Sequence, residues 1–195
     1  GFRVNRGAVL LRHMVVYELG GELTGRPPLM VPAHSYPFDT GPVDVAGGAD
    51  AVEVGSINYQ AGERAVLNDD DYFDLPNDII SLAGVDGSLS IEMWARVLVP
   101  PFGNVHIFDF GANTAGEVTG PGGAFGAADD MNLFVEFRGG NNDLRFAFDP
   151  GVGSSVGIDV DEPAPFAYFH IVMVVADDSW MLAYLNGAVV GAVDI

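Results

Sequence analysis

The chain has 195 residues, of which 27 are acidic and eight are basic, so its formal net charge is −19. All eight basic residues are arginine, cysteine is absent, and 49 % of the residues are apolar. The charge excludes nucleic acid and anionic membrane surfaces as partners. The missing cysteines exclude disulfides, thiolate catalysis and cysteine-ligated zinc, and the apolar content indicates a chain that folds around a core.

An apolar run near the N-terminus is the first predicted element. Residues 8–19 can be scored as an amphipathic helix, but the valines and tyrosine in the second half favour a strand. The run is too short to span a bilayer, so we expect no membrane insertion. A Gly-Gly pair ends it, and Arg-Pro-Pro at 26–28 then predicts an extended linker. We therefore expect residues 1–33 to be an arm, a linker or the end of a preceding domain, and residues 34–195 to be the main domain.

Short β-type runs then alternate with clusters of glycine, aspartate, asparagine and proline. The runs lie at 35–38, 51–57, 72–75, 88–99, 106–110, 132–137, 144–148, 169–175, 181–185 and 188–193. The nearly continuous apolar run 169–175 predicts a central strand, and Asn186-Gly187 is the favoured dipeptide of a type I′ hairpin turn. The glycine-rich stretch 111–128 predicts a long surface loop. Many short strands without a convincing helix indicate an all-β fold, an antiparallel β-sandwich or jelly roll.

Four sequence blocks, in this order, also carry a family resemblance. They are HSYPFD at 34–39, AVLNDDDYFDLP at 65–76, LSIEMWAR at 89–96 and YFHIVMVVADDSWMLAYLNGAVV at 168–190. Together they resemble the laminin-G-like, concanavalin A-like jelly roll. Asp69 stands where that family usually has glycine, and Tyr168 where it usually has tryptophan. Because the family normally adds strands after the Asn-Gly hairpin, the resemblance implies a jelly roll that is truncated there.

The resemblance implies a non-catalytic extracellular recognition or adhesion module of a larger surface or secreted protein. Such a module would bind a glycan or another extracellular protein through the loops at one rim of the sandwich. Four aromatic residues are candidates for contacting that ligand: Tyr72, Phe102, Phe125 and Trp180.

Two alternatives stay open at this point. The chain could be a structural building block of an extracellular filament or multidomain assembly, in which a neighbouring chain or segment pairs with the open edge of the sheet. It could also be a glycoside hydrolase, since this fold hosts glucanases. That alternative is weak because the Glu-x-Asp-x-x-Glu triplet of those enzymes is absent, and neither Glu92 nor Glu136 has a carboxylate partner close in sequence.

Calcium is the candidate cofactor. Asn68 and three consecutive aspartates, followed by one more, form the densest oxygen cluster in the chain, and Ca²⁺ prefers carboxylate and carbonyl oxygens. A bound divalent cation would relieve the repulsion between these carboxylates. The candidate ligands are Asp69, Asp70, Asp71 and Asp74, with Asp39 and Asp109 added by the resemblance. The alternative is a solvated acidic turn, and the four histidines share no metal-type spacing.

Overall fold

The structure is a computed structural model in which residues 2–3, 9–18, 31–60, 64–68, 71–76, 79, 88–98, 104–111, 132–139, 141–150, 154–164, 166–176 and 179–195 are described. None of these residues is helical, and 65 % of them lie in antiparallel strands. This part of the chain accordingly contains no helix that could cross a membrane. The predicted all-β antiparallel sandwich is confirmed.

Fifteen strands run through the described residues. They are β1 (Phe2–Arg3), β2 (Val9–Glu18), β3 (His34–Tyr36), β4 (Val52–Val54), β5 (Asn58–Gln60), β6 (Arg64–Leu67), β7 (Tyr72–Asp74), β8 (Leu89–Val97), β9 (Asn104–Gly111), β10 (Asn132–Arg138), β11 (Asp143–Asp149), β12 (Val156–Asp161), β13 (Phe169–Ala176), β14 (Trp180–Leu185) and β15 (Ala188–Asp194). Each run predicted between residues 35 and 193 is a strand whose bounds differ by at most a few residues. The predicted loop at 111–128 lies outside the described residues, apart from Gly111 at the end of β9.

The large sheet has the strand order β15-β14-β13-β8-β2-β6-β5, and β3 pairs with β2 at the side where β6 ends. Strand β13 lies between β8 and β14, as its nearly continuous apolar sequence predicts. Its side chains alternate between buried and half-buried, because one face of the sheet meets the core and the other does not. Asn186 and Gly187 both have positive φ, 51° and 80°, which a type I′ turn between β14 and β15 requires.

The N-terminal part of the chain contributes a strand to the large sheet. Within residues 1–33, where the sequence predicts an arm, a linker or the end of a preceding domain, the structure places β2 inside the large sheet, hydrogen-bonded to β8 on one side and to β6 and β3 on the other. A β-bulge at Arg12 shifts the register between Leu11 and His13. Because of this extra residue, Leu11 and Met14 both reach the core although they are three positions apart.

The second layer is built from two smaller sheets. One has the order β12-β11-β10-β9 and the other β1-β7-β4, and β1 also contacts β9. A single apolar cluster fills the space between the layers. Phe137 of β10 meets Phe169 of β13 edge to face, with ring centroids 5.6 Å apart, and Phe38 stacks on Phe73 at 4.7 Å. These aromatic pairs join the layers and leave two outward surfaces on which a ligand site can be built.

Candidate functional site

The side of the large sheet that points away from the core, here called the outer face, carries an unusual share of apolar groups. Strand alternation places Met93 in the core and Glu92 and Trp94 on the outer face of β8. The neighbouring strands alternate in the same way. Val15 and Val66 also lie on this face, and although both are buried, neither belongs to the core cluster.

Both tryptophans of the chain lie on the outer face, and both are exposed. Trp94 is 40 % exposed, Trp180 is 37 % exposed, and Val189 on β15 is 60 % exposed. Half-buried apolar side chains lie between them: Val172, Val174, Leu182 and Tyr184. His170 pairs with Trp94 and Ala176 with Trp180, so the tryptophans lie about 20 Å apart along the strand direction. Large exposed apolar surfaces are typical of interaction sites.

Polar groups surround Trp94 at one part of this face. The His170 ring stacks on Trp94 with a centroid distance of 4.7 Å, and its Nε2 lies 2.9 Å from Glu92 Oε1. On the other side, His13 Nε2 lies 3.0 Å from the Ser35 hydroxyl. Burial lowers the pKa of His13; the Glu92 carboxylate opposes this shift and the Arg12 guanidinium adds to it. His13 is therefore neutral at pH 7.

A second polar cluster lies on the outward side of the four-stranded sheet. His106 Nδ1 is 3.2 Å from Asp109 Oδ2, and its Nε2 is 3.4 Å from Glu136 Oε2. Burial lowers the pKa of His106, but hydrogen bonds and charge from the two carboxylates outweigh that effect and raise it to about 9. The imidazole is thus a cation that bridges the carboxylates. No carboxylate lies close to Glu136 in the sequence, but in the structure Asp109 and Glu136 both contact His106.

Sequence reasoning missed this cluster because of a β-bulge. In a regular strand His106 and Asp109, three residues apart, would point to opposite faces. The pairing of β9 with β10 shifts its register at Glu136, and Ile107 is the extra residue. Both side chains therefore point outward. The available signal was two adjacent apolar residues inside an alternating run, Ile107 and Phe108, both of which reach the core.

Two buried aspartates organise turns. Asp44 accepts backbone N–H hydrogen bonds from Ser35, Ala46, Gly47 and Ala49, and its Oδ2 lies 2.7 Å from His34 Nδ1. Burial alone would raise the pKa of Asp44, but these hydrogen bonds outweigh it and lower the pKa well below its usual value. Asp44 is therefore ionised, and its carboxylate holds the loop after β3 in place.

Asp71 has a comparable role between β6 and β7, and it is one of the predicted calcium ligands. Its Oδ1 accepts the Ser56 N–H at 2.7 Å, and its Oδ2 accepts the Asn68 N–H at 2.9 Å. Gly55, with φ of 97°, lies so close that a Cβ there would be 2.1 Å from Asp71 Oδ1. These contacts make Asp71 a connector between two loops, whatever else it binds.

The remaining predicted calcium ligands are dispersed where the structure describes them. Asp69 and Asp70 lie outside the described residues. Asp74 ends β7, Asp39 accepts the Thr40 hydroxyl, and Asp109 contacts His106. Among the described residues, no three His, Asp or Glu side chains are grouped so that they could hold a metal ion. Calcium binding stays a prediction.

Of the four predicted ligand-binding aromatics, the two that the structure describes lie on different sheets. Tyr72 is half-buried on β7 of the three-stranded sheet, and Trp180 is exposed on β14 of the large sheet. Phe102 and Phe125 lie outside the described residues. Trp180 shares its sheet face with Trp94, which the sequence analysis did not select.

Comparison of the chain with protein-family models, curated proteins and solved structures finds no match. The laminin-G-like resemblance of the four sequence blocks therefore stays a prediction.

Proposed function

We propose that the chain is a non-catalytic recognition module that binds a protein partner through the outer face of the large sheet. The observation that carries this proposal is the exposure of Trp94, Trp180 and Val189 on one continuous face. Tryptophan and tyrosine supply much of the binding energy at protein interfaces. An extracellular setting and a role in adhesion are expectations from the sequence that fit such a surface.

The partner is better taken as a different protein than as a second copy of this chain. Two copies would each bring a net charge of −19, which opposes their association. A protein also suits the face better than a glycan does, because aliphatic side chains such as Val172 and Leu182 fill the area between the tryptophans.

One cluster of carboxylates resembles the catalytic groups of a hydrolase. Asp109 and Glu136 could suggest the acid pair of a glycosidase, but each contacts a nitrogen of His106. A protonated imidazole between two carboxylates offsets one of their two negative charges and holds both in place, which favours a structural role. The hydrolase alternative therefore gains little from this cluster.

The test is a selection of binding peptides from a displayed random library on the immobilised chain, compared with Val189→Asp. Val189 is 60 % exposed on the outer face, and Val52 is 62 % exposed on β4 of the three-stranded sheet, so Val52→Asp is the matched control. We expect Val189→Asp to weaken binding of the selected peptides by about tenfold or more, because a charge at the interface must be desolvated. Val52→Asp should bind as the parent chain does.

Equal binding by the parent chain and by Val189→Asp would overturn the proposal. So would the absence of selected peptides together with retention of the chain on a glycan array, since that result supports the glycan alternative. Circular dichroism and the melting midpoint of each variant verify that both remain folded.

A further inference from the structure

Three arginines lie at the end of the outer face beyond Trp94. Here Arg12, Arg64 and Arg96, with Tyr168, are called the arginine end. Arg64 Nη1 donates to the Tyr168 hydroxyl at 2.6 Å, and the Arg96 guanidinium carbon lies 5.2 Å from the centre of the Tyr168 ring. Two guanidinium groups thus meet at one tyrosine.

Strand register brings the third arginine to the same place. Leu11 of β2 pairs with Ala65 of β6, so Arg12, which follows Leu11, and Arg64, which precedes Ala65, are neighbours on adjacent strands. Arg12 is the bulged residue of β2 and is exposed. Three of the eight arginines of the chain therefore lie at one end of one face.

The charge balance makes this grouping unexpected. With 27 acidic residues for eight arginines, carboxylate partners are abundant, and on the other layer Arg138 and Arg145 do form ion pairs with Asp143 and Asp159. Arg12 and Arg96 form no ion pair with any described residue. The Nε–H of Arg96 is buried and donates to no acceptor in the described part of the chain. Like charges held together repel one another, and a buried donor without an acceptor among the described residues favours a ligand, ion or water there.

We propose that the arginine end binds a carboxylate of the protein partner, an aspartate or glutamate side chain or a C-terminus. The planar guanidinium donates two parallel hydrogen bonds and matches a carboxylate in geometry as well as charge. Trp94 lies two residues from Arg96 on the same face of β8. The same ligand segment can therefore place an apolar group on the tryptophan. The net charge of −19 disfavours polyanions and leaves an isolated acidic group as the suitable ligand.

This inference rests on the proposed function and names the chemistry of its partner. The experiment uses the peptides selected on the full chain at about 0.15 M salt, where the long-range repulsion of the chain is screened beyond about 8 Å. We expect the selected peptides to be rich in apolar residues and to share one acidic position. Replacing that acidic residue with its amide should weaken binding about tenfold.

The decisive variant is Arg96→Gln, with Arg145→Gln as the matched control, because Arg145 is a paired arginine on the other layer. Arg96→Gln should weaken peptide binding about tenfold and reduce its dependence on salt concentration, and Arg145→Gln should change neither. If Arg96→Gln does not fold, Arg12→Gln, at an exposed site, provides the same readout with a smaller loss. Sodium acetate should compete with the peptide more strongly than sodium sulfate does at equal ionic strength.

Each other result has a defined meaning. If Val189→Asp removes peptide binding and neither Arg96→Gln nor Arg12→Gln changes it, the carboxylate inference fails and the proposed function stands. Selected peptides that are basic or neutral also overturn the inference, as does stronger competition by sulfate, which would indicate a sulfated ligand. If Val189→Asp binds as the parent chain does, the proposed function itself fails.

Discussion

Folding changes the charge state of His106 at neutral pH. An ordinary histidine is largely neutral at pH 7, whereas Asp109 and Glu136 raise the pKa of this one to about 9. A group whose pKa is higher in the folded chain than in the unfolded chain stabilises the fold at low pH. Its contribution is complete below about pH 6.5 and is lost as the pH rises through 9.

We therefore expect the urea midpoint of the parent chain to fall between pH 7 and pH 9.5, and that of His106→Gln to be lower at pH 7 but nearly constant over this range. The interval is favourable for measurement because the chain has no lysine and no cysteine to titrate in it. A parent chain whose midpoint is the same at both pH values would contradict the assigned cation. Chemical denaturation at several pH values provides the comparison.

Single residues also show where sequence reasoning reaches its limit. Asn186-Gly187 was predictable because its turn depends only on local backbone preferences. The contacts of His106, or of Arg64 with Tyr168 across 104 positions, were not predictable, because they depend on bulges and on strand order. The acidic run before β7 was visible as a cluster, but the hydrogen bond that Asp71 accepts from the Ser56 N–H, 15 positions earlier, was not.

At the scale of elements, the two layers close on each other at β12 and β15. Ile158 of β12 lies against Gly191 of β15, where an added Cβ would be 2.6 Å from Ile158 Cγ2. A side chain at position 191 therefore requires Ile158 or one of the two edge strands to shift. Val190 and Val193 of the same strand pack against the core, so this approach helps to cover it.

We expect Gly191→Ala to lower the free energy of unfolding by about 1–3 kcal/mol, the usual cost of overpacking. Gly41→Ala is the control, because a Cβ there meets only Val43 Cγ2 at 3.8 Å, and it should change little. Adding Ile158→Ala to Gly191→Ala should give a loss smaller than the sum of the two single losses. An additive result in urea unfolding would contradict the contact.

The prediction of elements from sequence succeeded where alternation was regular. β8 was predictable because every second side chain faces the core, and β13 was predictable because its apolar run is nearly continuous. β2 was ambiguous between helix and strand since its bulge places Leu11 and Met14 three residues apart in the core, which is a helical spacing. β12 escaped notice because few of its side chains are buried, so its apolar pattern is weak.

At the scale of the whole molecule, the sandwich was predictable from the number of short strands, but the place of residues 1–33 was not. Nothing local to β2 indicates that it pairs with β8, about eighty residues later in the chain. β15 pairs with β14 alone among the described strands, and its completion by a neighbouring chain or segment stays a prediction.

The net charge of −19 acts on the whole fold. Self-repulsion is screened by salt, so we expect the melting midpoint to rise by several degrees as sodium chloride is raised from about 0.01 M to about 0.5 M. Millimolar calcium chloride at matched ionic strength tests the predicted calcium site in the same assay. A site at residues 69–74 predicts a further rise that EGTA reverses.

Two results would count against these expectations. A midpoint that falls or stays constant with sodium chloride would show that self-repulsion does not limit stability. Identical midpoints in calcium and sodium at matched ionic strength would remove calcium as a cofactor.

Because Arg12 is the extra residue of a bulge, β2 could lose it without changing which of its other side chains face the core. Without Arg12, Leu11, His13 and Met14 would follow in strict alternation, and each would keep the face that it has now. The core therefore does not depend on this residue. A natural or designed variant could delete Arg12, or replace it with another polar residue, and so change the charge at one end of the outer face without rebuilding the sandwich beneath it.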